Sequence, residues 1–213
     1  AVRLFEFPEY HRNIEPLLAD PRLTVRGAIA GTARLDLATD DLAEAVSGAD
    51  TIIVATQALT HERAAEALRP LVNRDQVLIL NPNSIGGALQ FARVLRANGA
   101  DRMPALVGFS TLTYGCRAEG GRVDILVKVA RLAAGVFPSS RSVGILPGIV
   151  RYFPGVVPAA DVLDAGLTNA NPVIHPPIAI LNAARFENPR EVYFYRDGVS
   201  PKVARLIELL DAE

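Results

Sequence analysis

Residues 76–100 read QVLILNPNSIGGALQFARVLRANGA, and this stretch decides the fold class. It opens with a short apolar run that predicts a strand. A turn rich in Asn, Pro and Gly follows, and then a helical segment in which Leu89, Val94 and Leu95 are spaced for one face. Gly99 is placed to end that helix as its C-cap. The stretch therefore predicts a strand–loop–helix unit.

A similar unit precedes it in the chain. The run ADTIIVATQ at 49–57 is rich in β-branched residues and predicts a buried parallel strand, and THERAAEALRPLV after it predicts a helix that stops at Pro70. Strand, loop and helix repeated in this order are typical of a doubly wound α/β sheet. Residues 101–150 change to two strand-rich pieces joined by a Gly–Gly turn. We expect them to extend the sheet as a mixed or antiparallel edge.

The last part of the chain has a helical pattern. In SPKVARLIELLDAE, Ser200 can cap a helix, Pro201 suits its first position, and an apolar stripe follows at Val203, Leu206, Ile207 and Leu210. The chain opens with AVRLFEFPEY, which lacks Met and reads as the middle of a fold. We therefore expect an α/β domain at 1–159 that lacks its first strand. The beginning of an all-α domain is expected at 160–213.

Composition limits the classes of partner. The 213 residues are half apolar and about a fifth charged, which is enough to bury a sizeable core. With 22 basic and 23 acidic residues the net charge is −1, and no basic block is present, so nucleic acid is not expected as a partner. A single cysteine excludes an internal disulfide framework and a Cys-based metal site, and it suits a reducing cytosol. No apolar run approaches the roughly 18 residues of a membrane span, so we expect a soluble cytoplasmic protein.

Glu6 is the first candidate for cofactor binding. A doubly wound sheet binds its ligand at the carboxyl ends of the strands, and the dinucleotide fingerprint G-x-G-x-x-G belongs after the first strand. That fingerprint is absent from the sequence. If VRLFE is the second strand, Glu6 stands where an acid would bind the ribose hydroxyls, and the glycines would precede residue 1. A solvated carboxylate at a strand end is an equally good interpretation.

Six segments, taken together in their order and spacing, resemble the octopine/nopaline group of opine dehydrogenases. They are VRLFEFPEY, ILNPNSIGGALQFARVL, STLTYGCR, NANPVIHPP, LNAARFE and VYFYRDGVSPKVARLIELLDAE. The resemblance implies an N-terminal NAD(P)-binding Rossmann-like domain and a C-terminal helical domain, with the substrate in the cleft between them. It also implies a reductive condensation of an amino acid with a 2-oxo acid such as pyruvate, through an imine that takes hydride from the nicotinamide.

The resemblance implies that His175, in NPVIHP, is the catalytic acid/base. Pro176 and Pro177 suit the first turn of a helix through IAILNAARFE, which would place His175 at the N-terminal end. There the helix dipole favours the neutral ring. A buried, hydrogen-bonded histidine is the alternative from the local sequence alone. The family's orienting aspartate is expected beyond residue 213, because Asp211 is too close in sequence, and we expect this chain to be inactive in isolation.

The other candidate residues follow from the same resemblance and from strand ends. The candidates for substrate binding are Thr111, Cys116 and Asn171, and those for cofactor binding besides Glu6 are Thr56, Gln57 and Asn81, with Asn83 and Ser84 in the same loop. The alternatives are inert packing for Cys116, a cap for Asn171 and a plain turn for the Asn-rich loop. His11 and His61 are expected to be exposed, and no metal-ligand cluster is visible.

An acid at residue 6 favours NAD(H) over NADP(H), because it accepts bonds from both ribose hydroxyls and repels a 2′-phosphate. Arg3 and Arg12 lie near enough in sequence to weaken that preference, so NADP(H) is not excluded. Three functions stay open: an opine dehydrogenase, a related two-domain reductase of 2-oxo or 3-hydroxy acids, and a non-catalytic nucleotide-binding module. The expected partners are small-molecule substrates, with a homodimer left open.

Overall fold

The structure is a computed structural model that describes residues 1–99, 102–188 and 191–213. Its strands are β1 (Arg3–Phe5), β2 (Arg22–Gly27), β3 (Gly31–Arg34), β4 (Leu37–Thr39), β5 (Thr51–Val54), β6 (Val77–Leu80), β7 (Ala105–Phe109), β8 (Tyr114–Glu119), β9 (Arg122–Lys128), β10 (Leu132–Phe137) and β11 (Val156–Pro158).

The α-helices are α1 (Glu15–Ala19), α2 (Leu42–Val46), α3 (His61–Leu68), α4 (Gly87–Leu95), α5 (Ser142–Tyr152), α6 (Val162–Leu167), α7 (Asn171–Leu181), α8 (Ala183–Phe186), α9 (Phe194–Gly198) and α10 (Pro201–Asp211). Short 3-10 helices cover Pro8–Asn13, Ala58–Thr60, Arg96–Asn98 and Ser139–Arg141. Two compact units result, Ala1–Leu167 and Thr168–Glu213. The domain boundary expected after residue 159 stays a prediction.

The main sheet of the first unit has the strand order β11-β10-β7-β6-β5. Strands β5, β6 and β7 run parallel, while β10 pairs antiparallel with β7. Leu78 and Leu80 of β6 pack with α3 and α4 on one face, and Ile79 packs with α5 on the other. Helices on both faces bury these apolar side chains, as parallel sheets require. The predicted Rossmann-like α/β class, with a mixed edge, is confirmed.

Strand β5 is less buried than the sequence pattern predicts. Its parallel pairing with β6 is confirmed, but the side chains of Thr51 and Ile53 are exposed, the latter to 49%. Within the described residues β5 pairs with β6 alone, and β1 pairs with β4 in a separate small parallel sheet. A strand with a partner on one side only buries less surface than a central strand, which explains the difference.

Residues 101–150 follow the prediction in part. Gly120 and Gly121 do join two strands, β8 and β9, but these belong to a second sheet of order β3-β2-β9-β8, in which β9 pairs with β2. The other two strands of this region, β7 and β10, belong to the main sheet, where they pair antiparallel with each other. Helix α5 was not predicted, because its sequence SVGILPGIVRY contains glycines and an internal proline, which have low helix propensity.

Helix α4 buries Leu95, as predicted, but not Leu89. Its buried residues include Ala88, Phe91, Ala92 and Leu95, whereas Leu89 is 37% exposed. The spacing i, i+3, i+4, i+7 from Ala88 defines this face, and the small alanines made it less visible in the sequence. Gly99 ends the segment with a φ of +96°, as predicted for a C-cap.

Asn83, in the loop between β6 and α4, is fully buried and bonds to three elements. Its N–H donates to the Phe109 carbonyl at the end of β7 (2.8 Å), and its Nδ2 donates to the Val162 carbonyl at the start of α6 (2.9 Å). Its Oδ1 accepts from the Ala88 N–H in the first turn of α4 (2.7 Å). Gly108 makes room for this side chain, since a Cβ there would lie 2.6 Å from Asn83 Cγ. The loop is thus built around one amide.

His61 is buried, and the expectation of an exposed side chain was wrong. It is the first residue of α3 and packs edge-to-face on Phe91, with ring centroids 5.6 Å apart. The missing side chain of Gly87 leaves it space, since a Cβ there would lie 2.9 Å from Nδ1. Neither ring nitrogen has a hydrogen-bond partner within the described residues. Burial lowers the pKa of His61, and the nearby Thr56 backbone opposes this shift only in part.

The second unit is helical. Helix α10 begins as predicted, with Pro201 in its first turn and Ser200 Oγ accepting from the Val203 N–H (3.3 Å). Val203 is buried, while Leu210 at the far end is exposed. None of the described helices of either unit is long and apolar enough to cross a membrane.

His61 should make the first unit less stable in acid. Because its folded-state pKa lies below its unfolded-state value, the unfolded chain binds the proton first as the pH falls below about 6.5. The free energy of unfolding should therefore be unaffected by His61 above pH 7 and should fall between pH 7 and 5, by up to about 1.4 kcal/mol per pH unit. Urea unfolding of the wild type and of His61→Leu at pH 7.5, 6.5 and 5.5 measures this difference. Parallel pH curves for the two proteins would contradict it.

Candidate active site

The carboxyl edge of the main sheet brings several of the predicted residues together. Thr56 and Gln57 follow β5, Asn81 follows β6 and Thr111 follows β7. Because these three strands run parallel, their carboxyl ends lie at the same edge. Residues that are up to 55 positions apart in the sequence therefore share one edge of the fold. Sheets of this type bind ligands at such an edge.

The polar groups at this edge differ in whether they form hydrogen bonds within the protein. Asn81 donates through Nδ2 to Thr113 Oγ1 (2.9 Å) and accepts at Oδ1 from the Thr113 N–H (3.1 Å). Its amide therefore joins the end of β6 to the segment before β8. Gln57 is exposed, and the hydroxyl of Thr56 is buried without a hydrogen-bond partner in the described part of the chain.

Glu6 directly follows β1, at the carboxyl end of that strand. Its half-buried carboxylate accepts from the Phe7 N–H (2.9 Å) and from Asn13 Nδ2 (3.2 Å), which orients it and leaves lone pairs for another donor. The next turn packs against α3, where Arg63 pairs with Glu9 and its guanidinium lies 4.1 Å from the Phe7 ring centroid. These contacts place the turn after Glu6 beside the helix that follows β5.

The structure also gives the surroundings of two further residues from the sequence analysis, Arg3 and Cys116. Arg3 donates to the carbonyls of Glu44 and Ala45 at the end of α2, so it is engaged within the fold. Cys116 lies in β8 of the second sheet, where it is paired with Ile125 beside an irregularity in the strand. No group of three or more His, Cys, Asp or Glu side chains that could hold a metal ion occurs among the residues described.

In the helical unit, His175 lies inside α7 and not at its N-terminal end. The helix begins at Asn171, before His175 rather than after it, with Pro172 in its first turn. Pro176 and Pro177 are therefore internal, so the predicted start of this helix was wrong. The expectation that the helix dipole favours a neutral His175 ring therefore no longer applies, because the dipole acts only on groups in the first turn of a helix. The Asn171 N–H donates to Asn169 Oδ1 (3.0 Å), so Asn169 provides the side-chain oxygen that bonds to the first N–H of this helix.

The ring of His175 is half-buried and contacts two aromatic side chains from α9. Its Nε2 lies 2.7 Å from the hydroxyl oxygen of Tyr195, and the Phe194 ring meets it edge-on at 5.7 Å. Tyr195 was missed in the sequence analysis. It lies 20 residues away, in a segment whose local pattern signals only a helix, and only the packing of α9 on α7 brings it to the histidine.

Comparisons with known proteins agree with this architecture. Residues 158–213 match the sequence model of the α-helical domain of NAD/NADP octopine/nopaline dehydrogenases. The opine dehydrogenase of Arthrobacter sp. (strain 1C) is 36% identical over 186 residues, which is 87% of this chain and 52% of that protein. The octopine dehydrogenase of Pecten maximus is 31% identical over 98 residues, which is 45% of this chain and 24% of that protein.

A solved structure of octopine dehydrogenase with NADH and L-arginine superposes with a TM-score of 0.75 at 23% identity, and it covers 96% of this chain and 54% of that one. At this identity the superposition shows the shared fold. The chain thus spans about half the length of the relatives it matches. The motif order, the fold of both units and these matches lead to one assignment: the chain belongs to the opine dehydrogenase family.

Proposed function

We propose that the protein carrying this chain is an NAD(P)H-dependent opine dehydrogenase, which condenses an amino acid with a 2-oxo acid such as pyruvate. The observation that carries the proposal is His175, which lies in the family motif with its ring held by the side chains of α9 and still half-exposed. The match to the Arthrobacter enzyme supports the same reaction class. Octopine dehydrogenase has been solved with NADH and L-arginine and with NADH and pyruvate, and we extend that class of substrates to this protein.

In this function His175 is the acid/base. The neutral ring accepts a proton from the substrate ammonium, which frees the amine to attack the oxo-acid carbonyl. The protonated ring then gives this proton to the carbonyl oxygen as the amine adds. It takes a second proton from the nitrogen and passes it to the new hydroxyl, which leaves as water and yields the protonated imine. Asn171 lies one helical turn before His175 on the same face of α7, so we propose it as a substrate contact. Thr111 and Cys116 remain proposals for substrate binding from the family motif.

The residues of the first unit fit a nicotinamide dinucleotide. The buried Thr56 hydroxyl lacks a partner among the described residues, and Glu6 keeps free lone pairs at the end of β1. We propose that Glu6 binds the ribose hydroxyls, that Thr56 and Gln57 contact the adenosine or pyrophosphate, and that the backbone at Asn81 lies on the nicotinamide side. When bound, this cofactor supplies the hydride that reduces the imine.

The first test is a substrate panel with the complete protein. NADH should be consumed only when an amino acid and a 2-oxo acid are both present, because the imine forms from both. Absorbance at the NADH band, measured with pyruvate and each amino acid in turn, tests this. Consumption with a 2-oxo acid alone would favour the related reductase of 2-oxo acids, and no consumption with any pair would reject the proposal.

Replacing His175 should abolish most of the turnover. In the complete protein, His175→Ala should lower kcat by on the order of 10²-fold or more, since general acid–base catalysis contributes roughly that factor. The NADH affinity, measured by fluorescence titration without substrate, should change little. His11→Ala is the matched histidine variant, because His11 pairs with Asp40 in the first unit, and its kcat should stay close to that of the wild type. Near-normal turnover of His175→Ala would refute the assignment.

Glu6 should set the preference for NADH. Removing the carboxylate in Glu6→Ala eliminates its hydrogen bonds to the ribose and its repulsion of a 2′-phosphate. The ratio of kcat/KM for NADH to that for NADPH should fall by about tenfold or more, the magnitude of a hydrogen bond to a charged group. Glu9→Ala is the control, because Glu9 lies in the same turn but pairs with Arg63. An unchanged ratio in Glu6→Ala would remove the basis for NAD(H) preference.

A further inference from the structure

One face of α7 and its C-cap carries His175, Ile178 and Asn182, which are spaced i, i+3 and i+7. Helix α9 packs on this face. Asn182 Nδ2 donates to the Gly198 carbonyl at the end of α9 (2.9 Å). A Cβ on Gly198 would lie 2.7 Å from Ile178 Cγ2, so only glycine allows this close approach without a shift. The position of α9 relative to His175 is therefore set by contacts one and two turns further along α7.

Two more contacts hold α9 in place. Arg185, in α8, donates to the Asp197 carbonyl (2.6 Å). The rings of Phe186 and Phe194 stack with centroids 5.5 Å apart and an interplanar angle of 16°. Phe194 is the residue next to Tyr195, so the stack restrains the backbone from which Tyr195 extends. The 2.7 Å bond from Tyr195 to His175 is thus made by a side chain on a fixed support.

The other polar side chains in α9 and in the residues just before it have partners other than His175. The Asp197 carboxylate accepts from the Tyr193 N–H (2.8 Å) and pairs with Arg196. The hydroxyl of Tyr193 donates to Glu191 (2.6 Å). The Tyr195 hydroxyl is therefore the polar group of α9 that the structure shows bonded to the imidazole.

This bond restrains the ring in both of its protonation states. The hydroxyl can donate to a bare Nε2 or accept from a protonated Nε2, so the contact persists when the charge of the ring changes. Because the hydroxyl occupies Nε2, Nδ1 is the nitrogen left to exchange a proton with a substrate. The ring keeps one orientation while its charge changes.

We propose that Tyr195 is a positioning residue for His175, which holds the imidazole through Nε2 and leaves Nδ1 to exchange a proton with the substrate. The importance of this for turnover rests on the proposed function, in which His175 is the acid/base. The contact itself does not depend on it, and it can be measured in the chain of residues 1–213 without any substrate or cofactor.

The direct test is nitrogen NMR of the histidine rings at pH 8.5, where an ordinary histidine is neutral. The chain has three histidines, and the His175 signals are those lost in His175→Gln. In the wild type one tautomer should predominate, because the hydroxyl bonds to Nε2 alone, and in Tyr195→Phe the ring should shift toward a mixture of both tautomers. Tyr193→Phe is the matched control and should leave the His175 signals unchanged. An identical tautomer in the wild type and in Tyr195→Phe would overturn the proposal.

A kinetic test in the complete protein separates positioning from stability. Tyr195→Phe keeps the aromatic ring, so its thermal unfolding should match that of the wild type, while kcat should fall by about tenfold or more. KM for NADH should not change, and Tyr193→Phe should behave as the wild type. An unchanged kcat in Tyr195→Phe would overturn the catalytic part of the proposal. If the wild type itself lacks opine synthesis, the proposed function fails, and the NMR result still decides the role of Tyr195.

Discussion

The first unit depends on the buried amide of Asn83. Its two hydrogen bonds join the loop after β6 to α4 and to α6, and the backbone N–H of Asn83 joins the same loop to β7. A buried polar group that loses its partner costs about 1–3 kcal/mol, so each of these elements is held where the amide requires it. Gly108 is the matching requirement in β7, because a larger residue would occupy the space of this side chain.

The polar residues at the carboxyl edge fall into two groups, according to whether their side chains form hydrogen bonds within the fold. The amides of Asn81 and Asn83 form hydrogen bonds within the fold. Those of Asn81 to Thr113 tie this edge to the segment before β8. Glu6 and Thr56 differ, since one keeps free lone pairs and the other has a hydroxyl without a partner within the described residues. One set of groups at this edge is thus used within the fold, and the other set keeps unused hydrogen-bonding capacity.

The helical unit uses the same arrangement on a smaller scale. Asn182 joins α7 to α9 through two buried bonds, to the carbonyls of Ile178 and Gly198. These bonds are structural, and they set the place from which Phe194 and Tyr195 reach His175. In both units a buried asparagine fixes part of the backbone, and in the helical unit His175 and Tyr195 extend from the two helices that it joins.

The sequence alone determined the α/β class, the parallel strands at 51–54 and 77–80 and the turn at Gly120 and Gly121. It also determined the cap at Ser200 and, through the order of its motifs, the family. Each of these signals is carried by residues within a few positions of one another, or by a motif order that can be read along the chain. Only the tertiary structure decided that β8 and β9 join β2 in a second sheet, that His61 is buried against Gly87, and that Tyr195 bonds to His175. Those outcomes depend on which elements meet in space, and contacts between distant segments leave no periodic pattern in the local sequence.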